Sequence, residues 1–407
     1  MRSGRLQPWQ RTLYAVLGVQ FLAAVGFSLV FPLLPLYVQD LGSRLGWRVE
    51  FLAGLVFSAQ AMTMMIASPI WGALADQWGR KVMVLRATGS GAVVLTLMAF
   101  ARSAEELVLL RALQGLVTGT ISANNALVAA ATPREHIGYA LGVLQVGLWA
   151  GVAIGPLLGG YVADTWGYRT AFFLTGGLLS VATLLVLVSV DDDREQVTRS
   201  AAAARLNMWK EWRHLVTTPG VLLVYALRFL VRLGQAMTVP LMPFLVQALA
   251  ANGIGAATAT GGVVGVRSAL GAISATWLGR LGDRVGYRRV VQVGLGILAV
   301  ALIAHGVVNS VWVLLFLQAL VGFMLGGITP VMSALLARYV TPGEEGAAYG
   351  LDNSVVAAAR TIAPMIGATI AAWYGLRAAF VVGGILYLVG AVFLVSRLPK
   401  SFPTERT

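Results

Sequence analysis

The sequence contains no cysteine, only three histidines and few charged residues, which make up 12% of the chain. Without cysteine the protein cannot form disulfide bonds, hold an iron–sulfur cluster on thiolates or use a thiol as a nucleophile. His136, His214 and His305 lie far apart in the sequence, so a metal site built on imidazoles is not expected. From these shortages we expect that the protein is not an enzyme and carries no cofactor.

Long apolar runs are what the sequence has in abundance. Of its 407 residues 58% are hydrophobic, and the mean hydropathy is +0.78. Soluble domains usually carry about 25% charged residues, whereas these runs match the roughly 20 apolar residues that a helix needs to cross a bilayer. The first run is longer than the core of a signal peptide and is predicted to be a retained helix. We predict an all-α integral membrane protein with twelve spans, centred near Val25, Met62, Val93, Gly119, Val152, Leu184, Gly234, Leu270, Ala299, Phe323, Arg360 and Leu388.

One long polar segment, residues 191–219, separates the sixth predicted span from the seventh. Its change in composition predicts a linker, with a short amphipathic helix around Trp209 and Trp212. The chain is therefore expected to divide into an N-terminal six-helix bundle, 1–190, this linker, and a C-terminal six-helix bundle, 220–407.

The net charge of +13 raises the question of a nucleic-acid partner. Most lysines and arginines, however, fall in the two termini, the linker and the loops on one side of the predicted spans. The positive-inside rule places that side in the cytoplasm. The basic balance therefore reflects membrane topology, and no nucleic-acid partner is expected.

A shift of about 207 residues aligns the two halves of the sequence and predicts an internal repeat. "GALADQWGRK" matches "GRLGDRVGYRR", and "GFSLVFPLLP" matches "GQAMTVPLMP". Pro156 likewise falls on Pro364. Six plus six helices with a linker describe two parallel repeats that can rock about a site near the membrane midplane.

In these features the chain resembles the major facilitator superfamily (MFS) over nearly its whole length. "GFSLVFPLLP", "LRALQG" and "GVAIGPLLGG" resemble the first-, fourth- and fifth-helix motifs of its drug–proton antiporters. "FSLVFPLLPLYV", "ASPIWGALADQWGRKVMVLRA" and "RALQGLVTG" look most like the MdtG-type multidrug exporters. The resemblance implies export of a small-molecule substrate by alternating access, in exchange for protons, across a bacterial inner membrane. The same fold leaves open a metabolite facilitator or importer, or a flippase for a lipid-like substrate.

Two polar loops at matching places in the repeat are predicted to form a conformational latch. Asp76 can meet the positive N-terminus of another helix, or an arginine, in only one arrangement of the halves. The resemblance implies that Asp76 faces the eleventh helix, and pseudo-symmetry then places Asp283 against the fifth. The simpler alternative is a turn with a positive-inside anchor, but an anchor needs no aspartate. The predicted latch residues are Gly72, Asp76, Gly79, Arg80, Lys81, Asp283, Gly286 and Arg288.

The fifth predicted span carries a glycine pattern that favours close helix packing. Gly151, Gly155, Gly159 and Gly160 provide a smooth groove for a neighbouring helix, and Pro156 introduces a bend. The resemblance identifies this pattern with the antiporter motif.

Arg111, Arg228, Arg232, Arg267 and Arg360 lie inside predicted spans, where an ionised side chain is costly unless it faces a cavity or a partner. Because few acids accompany them, we predict an electropositive cavity that attracts anionic or zwitterionic compounds. Arg228 could instead snorkel to the membrane surface, and the aromatic residues could simply pack. The predicted cavity residues are Arg232, Arg267, Arg360, Arg228, Gln235, Trp149, Gln145, Asn125, Asn353, Phe27 and Phe31.

Proton coupling generally needs a carboxylate whose pKa burial raises into the working range. Among the acids, only Asp352 falls within a predicted span. The coupling candidates are Arg111, Asp352 and Asp76. For Arg111 the alternative to a functional role is a structural one, in an ion pair or as a cap for carbonyl groups. The expected partners are the substrate, protons and membrane lipid, and the chain is expected to work as a monomer.

Overall fold

The computed structural model describes residues 7–190, 220–250, 255–340 and 345–397, and this described part is helical, without a strand. The helices of the first half are α1a Pro8–Val30, α1b Leu34–Leu41, α2 Val49–Trp78, α3 Arg80–Met98, α4a Ala104–Val117, α4b Thr120–Ala131, α5 Ile137–Trp166 and α6 Tyr168–Ser189. Those of the second half are α7a Val221–Thr238, α7b Met242–Leu249, α8 Ala256–Val285, α9 Tyr287–Ala304, α10 Val311–Tyr339, α11 Glu345–Tyr374, α12a Leu376–Val389 and α12b Val395–Arg397.

Within the described residues, 11 helices are long and apolar enough to span a membrane, so the predicted all-α membrane fold is confirmed. The fourth predicted span differs, because it consists of two helices of 14 and 12 residues, α4a and α4b. The break lies at Thr118 and Gly119, and Gly119 has a φ of +136°. Glycine adopts this left-handed conformation without a steric penalty, so an apolar run that predicts one helix is interrupted at its predicted centre.

The repeat is visible in the backbone of the two halves. A short 3-10 turn, Phe31–Leu33, joins α1a to α1b, and the matching turn Val239–Leu241 joins α7a to α7b. Each turn contains a proline, which lacks the backbone donor that a continuous helix needs. Gly79 and Gly286, before α3 and α9, have φ values of 89° and 93°. Both halves thus use the same local signals to bend and end their helices.

Each half also buries apolar side chains of its own. Tyr37 and Phe172 lie in the core of the first half, and Phe380 and Tyr387 in that of the second. The hydroxyl of Tyr37 donates to the Met98 carbonyl at 3.1 Å, and that of Tyr387 to the Val231 carbonyl at 3.2 Å. Because a buried tyrosine hydroxyl needs a partner, these bonds satisfy the hydroxyls of Tyr37 and Tyr387.

The predicted linker, 191–219, lies outside the described residues, together with Trp209 and Trp212, so the predicted domain boundaries stay predictions. The helices on either side of it, α6 and α7a, end and begin at the same end of the bundles at which α1a begins. We call this end, next to Gln7, Ser189 and Val221, the basic end. The other is called the opposite end.

Candidate functional site

The two halves touch toward the opposite end, where α2 packs against α11 and α5 against α8. A Cβ on Gly54 would lie 2.8 Å from the Pro364 carbonyl oxygen, and one on Gly261 would lie 2.1 Å from that of Pro156. Glycine lets helix backbones approach this closely. Contacts at backbone distance on both sides of the interface close the opposite end of the molecule.

Two charged side chains of the first half reinforce this closure. The Asp164 carboxylate accepts hydrogen bonds from the backbone N–H groups of Thr258 at 2.6 Å and Ala257 at 3.3 Å, at the start of α8. Arg48 donates to the carbonyl of Ala372, near the end of α11. A negative charge at a helix N-terminus and a positive charge at a C-terminus are both favourable. We call these two contacts the opposite-end gate.

Toward the basic end the same helices carry exposed apolar side chains. Ile66 and Ile70 on α2 are 58% and 57% exposed, and Trp277 on α8 is 69% exposed. The inter-half contacts described above all lie on the other side of the cavity. A Cβ on Gly142 of α5 or on Gly279 of α8, both toward the basic end, would meet nothing within 4 Å, so the described chain is closed at the opposite end and open at the basic end.

A cavity of about 570 Å³ lies between the halves. Arg232, Arg267 and Arg360 line the side formed by the second half. No aspartate or glutamate is among the residues that line it. Arg232 donates to the amide oxygen of Gln235 at 2.7 Å, whereas the guanidinium groups of Arg267 and Arg360 find no hydrogen-bond acceptor in the part of the chain that the structure describes. We call the side of the cavity that these three arginines line the cationic wall, and no acid in the lining compensates its charge.

The first half supplies an aromatic and amide-bearing wall. Phe27, Phe31, Phe57 and Trp149 line it, together with Gln20 and Gln60. The rings of Phe31 and Phe57 meet edge to face, with 4.9 Å between their centroids. The cavity can therefore offer positive charge on one side and an aromatic surface on the other, which suits a compound with an anionic group and an apolar body.

Arg228 lies behind the cationic wall and does not line the cavity. Its Nε lies 2.6 Å from Oδ1 of Asp352, and its Nη1 donates to the Ser333 hydroxyl at 2.9 Å. Both charged side chains are less than a tenth exposed. The pair joins α7a to α11, with Ser333 of α10 as a third partner, so the structure places Arg228 in a buried ion pair rather than at the membrane surface.

Arg111 is also buried, with an exposed fraction of 3%. Its guanidinium donates to the Val56 carbonyl and to the side-chain oxygen of Gln60, each at 3.3 Å, and to that of Gln114. These acceptors belong to α2 and to its own helix, α4a. Arg111 thus caps carbonyl groups inside the first half, and two of its neighbours, Gln60 and Phe57, line the cavity.

Three predicted cavity residues, Gln145, Asn125 and Asn353, are not among those that line the cavity. The break at Gly119 explains why Asn125 does not line the cavity, because it changes the register of α4b relative to α4a. The neighbouring Asn124 is fully buried instead and donates to the side-chain oxygen of Gln20. The sequence did not single out Asn124, and only its polarity inside an apolar run could have indicated it.

Three glycines of the fifth-helix motif pack α5 against α1a. A Cβ on Gly151 would lie 2.6 Å from that of Ala24, one on Gly155 would lie 2.0 Å from the Ser28 hydroxyl, and one on Gly159 would lie 2.1 Å from the Leu29 carbonyl oxygen. Gly160 faces the other way, and its Cβ would lie 2.3 Å from the Ala257 carbonyl oxygen of α8. The motif therefore packs α5 within its own half and across the closed interface.

The predicted latch falls partly outside the described side chains, which include neither that of Asp76 nor the surroundings of Gly72. Asp283 is exposed and accepts a hydrogen bond from the Tyr287 hydroxyl of its own loop, not from α5. Lys81 donates to the Val190 carbonyl, and Arg288 to that of Ser396 at 2.7 Å. In this arrangement Asp283 makes no contact with a helix of the other half within the described residues. The latch stays a prediction.

The two halves of the chain match the same family model. The description of that model is Major Facilitator Superfamily, and the matched residues are 16–229 and 224–407. The chain is 35% identical to the multidrug resistance protein MdtG of Enterobacter lignolyticus (strain SCF1), over 95% of this chain and 91% of that protein. It is 34% identical to the multidrug resistance protein MdtG of Salmonella arizonae (strain ATCC BAA-731 / CDC346-86 / RSK2980), over 96% of each chain.

Among solved structures, the chain superimposes on the nucleoside transporter NupG with a TM-score of 0.79. The two share 12% sequence identity, over 96% of this chain and all of that one. At this identity the likeness concerns the fold alone.

Proposed function

The chain belongs to the Major Facilitator Superfamily, and from this membership we propose that it is a secondary active exporter of small amphipathic or anionic compounds. The MdtG relatives, which are named multidrug resistance proteins and match almost the whole chain, support efflux of several compounds. The chain is a multi-pass membrane protein. Its location in a bacterial inner membrane, with both termini in the cytoplasm, is part of the proposal and rests on the positive-inside rule.

One observation carries the proposed substrate class. Arg232, Arg267 and Arg360 line a cavity that no described acid lines, and the facing wall is aromatic. In a medium of low dielectric constant, uncompensated guanidinium groups attract an anion strongly. A substrate with a phosphonate, phosphate or carboxylate group and an apolar body fits both walls.

Alternating access follows from the same geometry. With the basic end in the cytoplasm, the described arrangement faces inward and is ready to take up a substrate from the cytoplasm. Release then requires that the opposite-end gate opens while the basic end closes, by rocking of the two halves. The cavity is complete within one chain, which supports a monomer as the working unit.

Proton antiport is the proposed coupling, and Asp352 is the acid that the described part of the chain buries within a span. It lies next to Arg228, so a proton on Asp352 would remove the negative partner of a buried cation. This change in charge gives protonation a way to act on α7a and α11, which carry Arg232 and Arg360.

The substrate class is tested with a drug-susceptibility panel in a pump-deficient bacterial host. We expect the chain to raise resistance to anionic amphipathic compounds, and Arg232→Gln or Arg360→Gln to lower it about tenfold, the effect of one hydrogen bond to a charged group. Arg102→Gln, at an exposed arginine away from the cavity, is the matched control and should change nothing. Efflux confined to lipophilic cations, and indifferent to the cavity arginines, would overturn the substrate class.

Proton coupling is tested separately in proteoliposomes with a pH-sensitive dye. Substrate added on the basic side should move protons in the direction opposite to that of the substrate, and Asp352→Asn should abolish this movement. Substrate flux without proton movement would indicate a facilitator instead, and flux of a lipid-like probe between leaflets would indicate a flippase.

A further inference from the structure

The break in the fourth span leaves two helix ends near mid-membrane, and side chains cap only one of them. The last carbonyl groups of α4a are capped: the indole of Trp71 donates to Leu116 at 2.6 Å, and Arg86 Nη1 donates to Val117 at 2.9 Å. The hydroxyl of Ser90 also donates to Val117, at 3.0 Å. Three side chains of α2 and α3 thus satisfy the C-terminal end of α4a.

The N-terminal end of α4b has no such cap. No side chain accepts from its first turn, and within the described residues the N–H groups of Thr120, Ile121 and Ser122 find no acceptor. A helix leaves its first N–H groups unpaired and carries a partial positive charge at this end. Because α4b begins inside the span, water or a ligand in the cavity must satisfy these groups.

Thr120 gives a second and independent indication. Its side chain is only 6% exposed, yet its hydroxyl has no hydrogen-bond partner among the described residues. Thr120 and Ile121 both line the cavity between the halves. The unpaired hydroxyl of Thr120 therefore lies where a molecule bound in the cavity can supply an acceptor.

Arg86 adds a positive charge beside the same helix end. A Cβ on Gly119 would lie 3.9 Å from Arg86 Nη2, and the Nε of Arg86 is buried without an acceptor in the described part of the chain. The guanidinium is stacked on Trp71, with 3.7 Å to the ring centroid, so its position is fixed. A cation at a helix N-terminus is unfavourable unless an anion lies between them.

We propose that the start of α4b is an anion subsite of the cavity, formed by the N–H groups of Thr120 to Ser122 and the Thr120 hydroxyl, with Arg86 beside them. Its ligand is an oxyanion, the phosphonate, phosphate or carboxylate group of the transported compound. The proposal rests on the proposed function, because it assigns this group a place on the wall formed by the first half. Helix N-termini at breaks inside membrane spans bind anionic substrate groups in this way.

The subsite gives the first half its own hold on the substrate. The arginines of the second half attract an anion from the facing wall, so one negative group in the cavity can be bound from both sides. An anion shared by the two halves would draw them together at the basic end. Substrate binding would thereby favour the closure that must precede release.

The test measures binding of phenylphosphonate and of inorganic phosphate to the full-length protein in nanodiscs, by isothermal titration calorimetry. Thr120→Val should weaken phenylphosphonate binding about tenfold, as expected for one lost hydrogen bond to an anion, and Thr120→Ser should restore it. Thr118→Val is the matched control, because the Thr118 hydroxyl already donates to the Gln114 carbonyl at 2.7 Å. It should bind like the wild type.

The variant Arg267→Gln distinguishes a failure of this subsite from a failure of the proposed substrate class. If Arg267→Gln weakens binding while Thr120→Val does not, the subsite is absent and the proposed function stands. If neither change weakens binding, the anionic substrate class fails with it. If Thr120→Val lowers phosphate affinity but leaves the KM for phenylphosphonate transport unchanged, the subsite holds a resident ion, and its assignment to the substrate is wrong.

Discussion

The two halves of the chain share their packing and differ in their charges. Gly115 in α4a approaches Gln60 of α2, and the matching Gly322 in α10 approaches Arg267 of α8; a Cβ on either would lie 2.2 or 2.1 Å from the facing carbonyl oxygen. Gln60 and Arg267 occupy matching positions in the repeat, yet the first is an amide and the second a cation. Duplication has preserved the glycine that the backbone contact requires while the side chain beside it has changed.

The halves differ in the same way one helical turn earlier, four residues before these glycines. Arg111 in α4a matches Gln318 in α10, so that each half has one arginine and one glutamine at these two places, in exchanged positions. In the first half the arginine is buried behind the wall and bonds to Gln60. In the second half Arg267 lines the cavity, and Gln318 pairs with His305. The exchange makes one wall cationic and leaves the other neutral at this place.

At the opposite-end gate it is the first half, not the second, that carries the charged side chains. Arg48 and Asp164, both from the first half, supply its charges. The shift that aligns the repeat places Arg48 on Gly255 and Asp164 on Ala372, which are the regions that these two side chains contact. The two contacts are therefore related by the repeat, but only one half carries the side chains. Closure depends on the first half for charge and on the second for helix ends.

The largest difference between the halves should appear in stability. Asp352→Ala removes one member of a buried ion pair and leaves Arg228 uncompensated, which costs about 3–5 kcal/mol. Gln20, which the repeat aligns with Arg228, makes a neutral hydrogen bond to Asn124, and Gln20→Ala removes it at a cost of about 1 kcal/mol. Thermal unfolding of the purified variants in detergent measures both.

The double variant Arg228→Met with Asp352→Leu is the control for that experiment, because it removes both charges together. It should recover most of the lost stability, since replacing a whole buried pair by apolar residues is often neutral. Equal losses of stability for Asp352→Ala and Gln20→Ala would contradict the assigned difference between the halves.

A smaller effect is expected when the exchange of arginine and glutamine is undone. Arg267→Gln makes the second half resemble the first and should lower the transport of a phosphonate about tenfold. Gln60→Arg, tested in the Arg267→Gln background, should restore part of the rate, because it returns a cation to the cavity. Radiolabelled flux into inside-out vesicles is the measurement, and no rescue would show that the position of the charge matters as well as its presence.

The smallest effect is expected at the gate. Asp164→Asn weakens a charge–helix contact worth roughly 0.3–2 kcal/mol, and so should reduce the population that is open at the basic end a few fold. Because the sequence has no cysteine, a single Ala61→Cys change in the cavity reports on access from the basic end without background labelling. Ala372→Ser leaves the carbonyl that Arg48 contacts in place and is the control; equal labelling of the Asp164→Asn variant and its parent would exclude the gate.

The number and order of the spans, the repeat and the arginines within the spans could all be predicted from the sequence. These features depend on the length and composition of local segments, and a bilayer allows few alternatives for an apolar run of that length. Arg232, Arg267 and Arg360 were predicted to lie in the cavity wall on this basis, and the structure places them there.

Other features were decided only by the tertiary structure. Helical periodicity fixes the face of its own helix on which a residue lies, but not which neighbour covers that face. Hence Arg228 meets Asp352, and Asn124 rather than Asn125 meets Gln20. The break at Gly119 exists because a glycine can leave the helical conformation where packed neighbours cap the freed carbonyl groups. The arrangement open at the basic end depends on contacts between segments far apart in sequence, which no local pattern encodes.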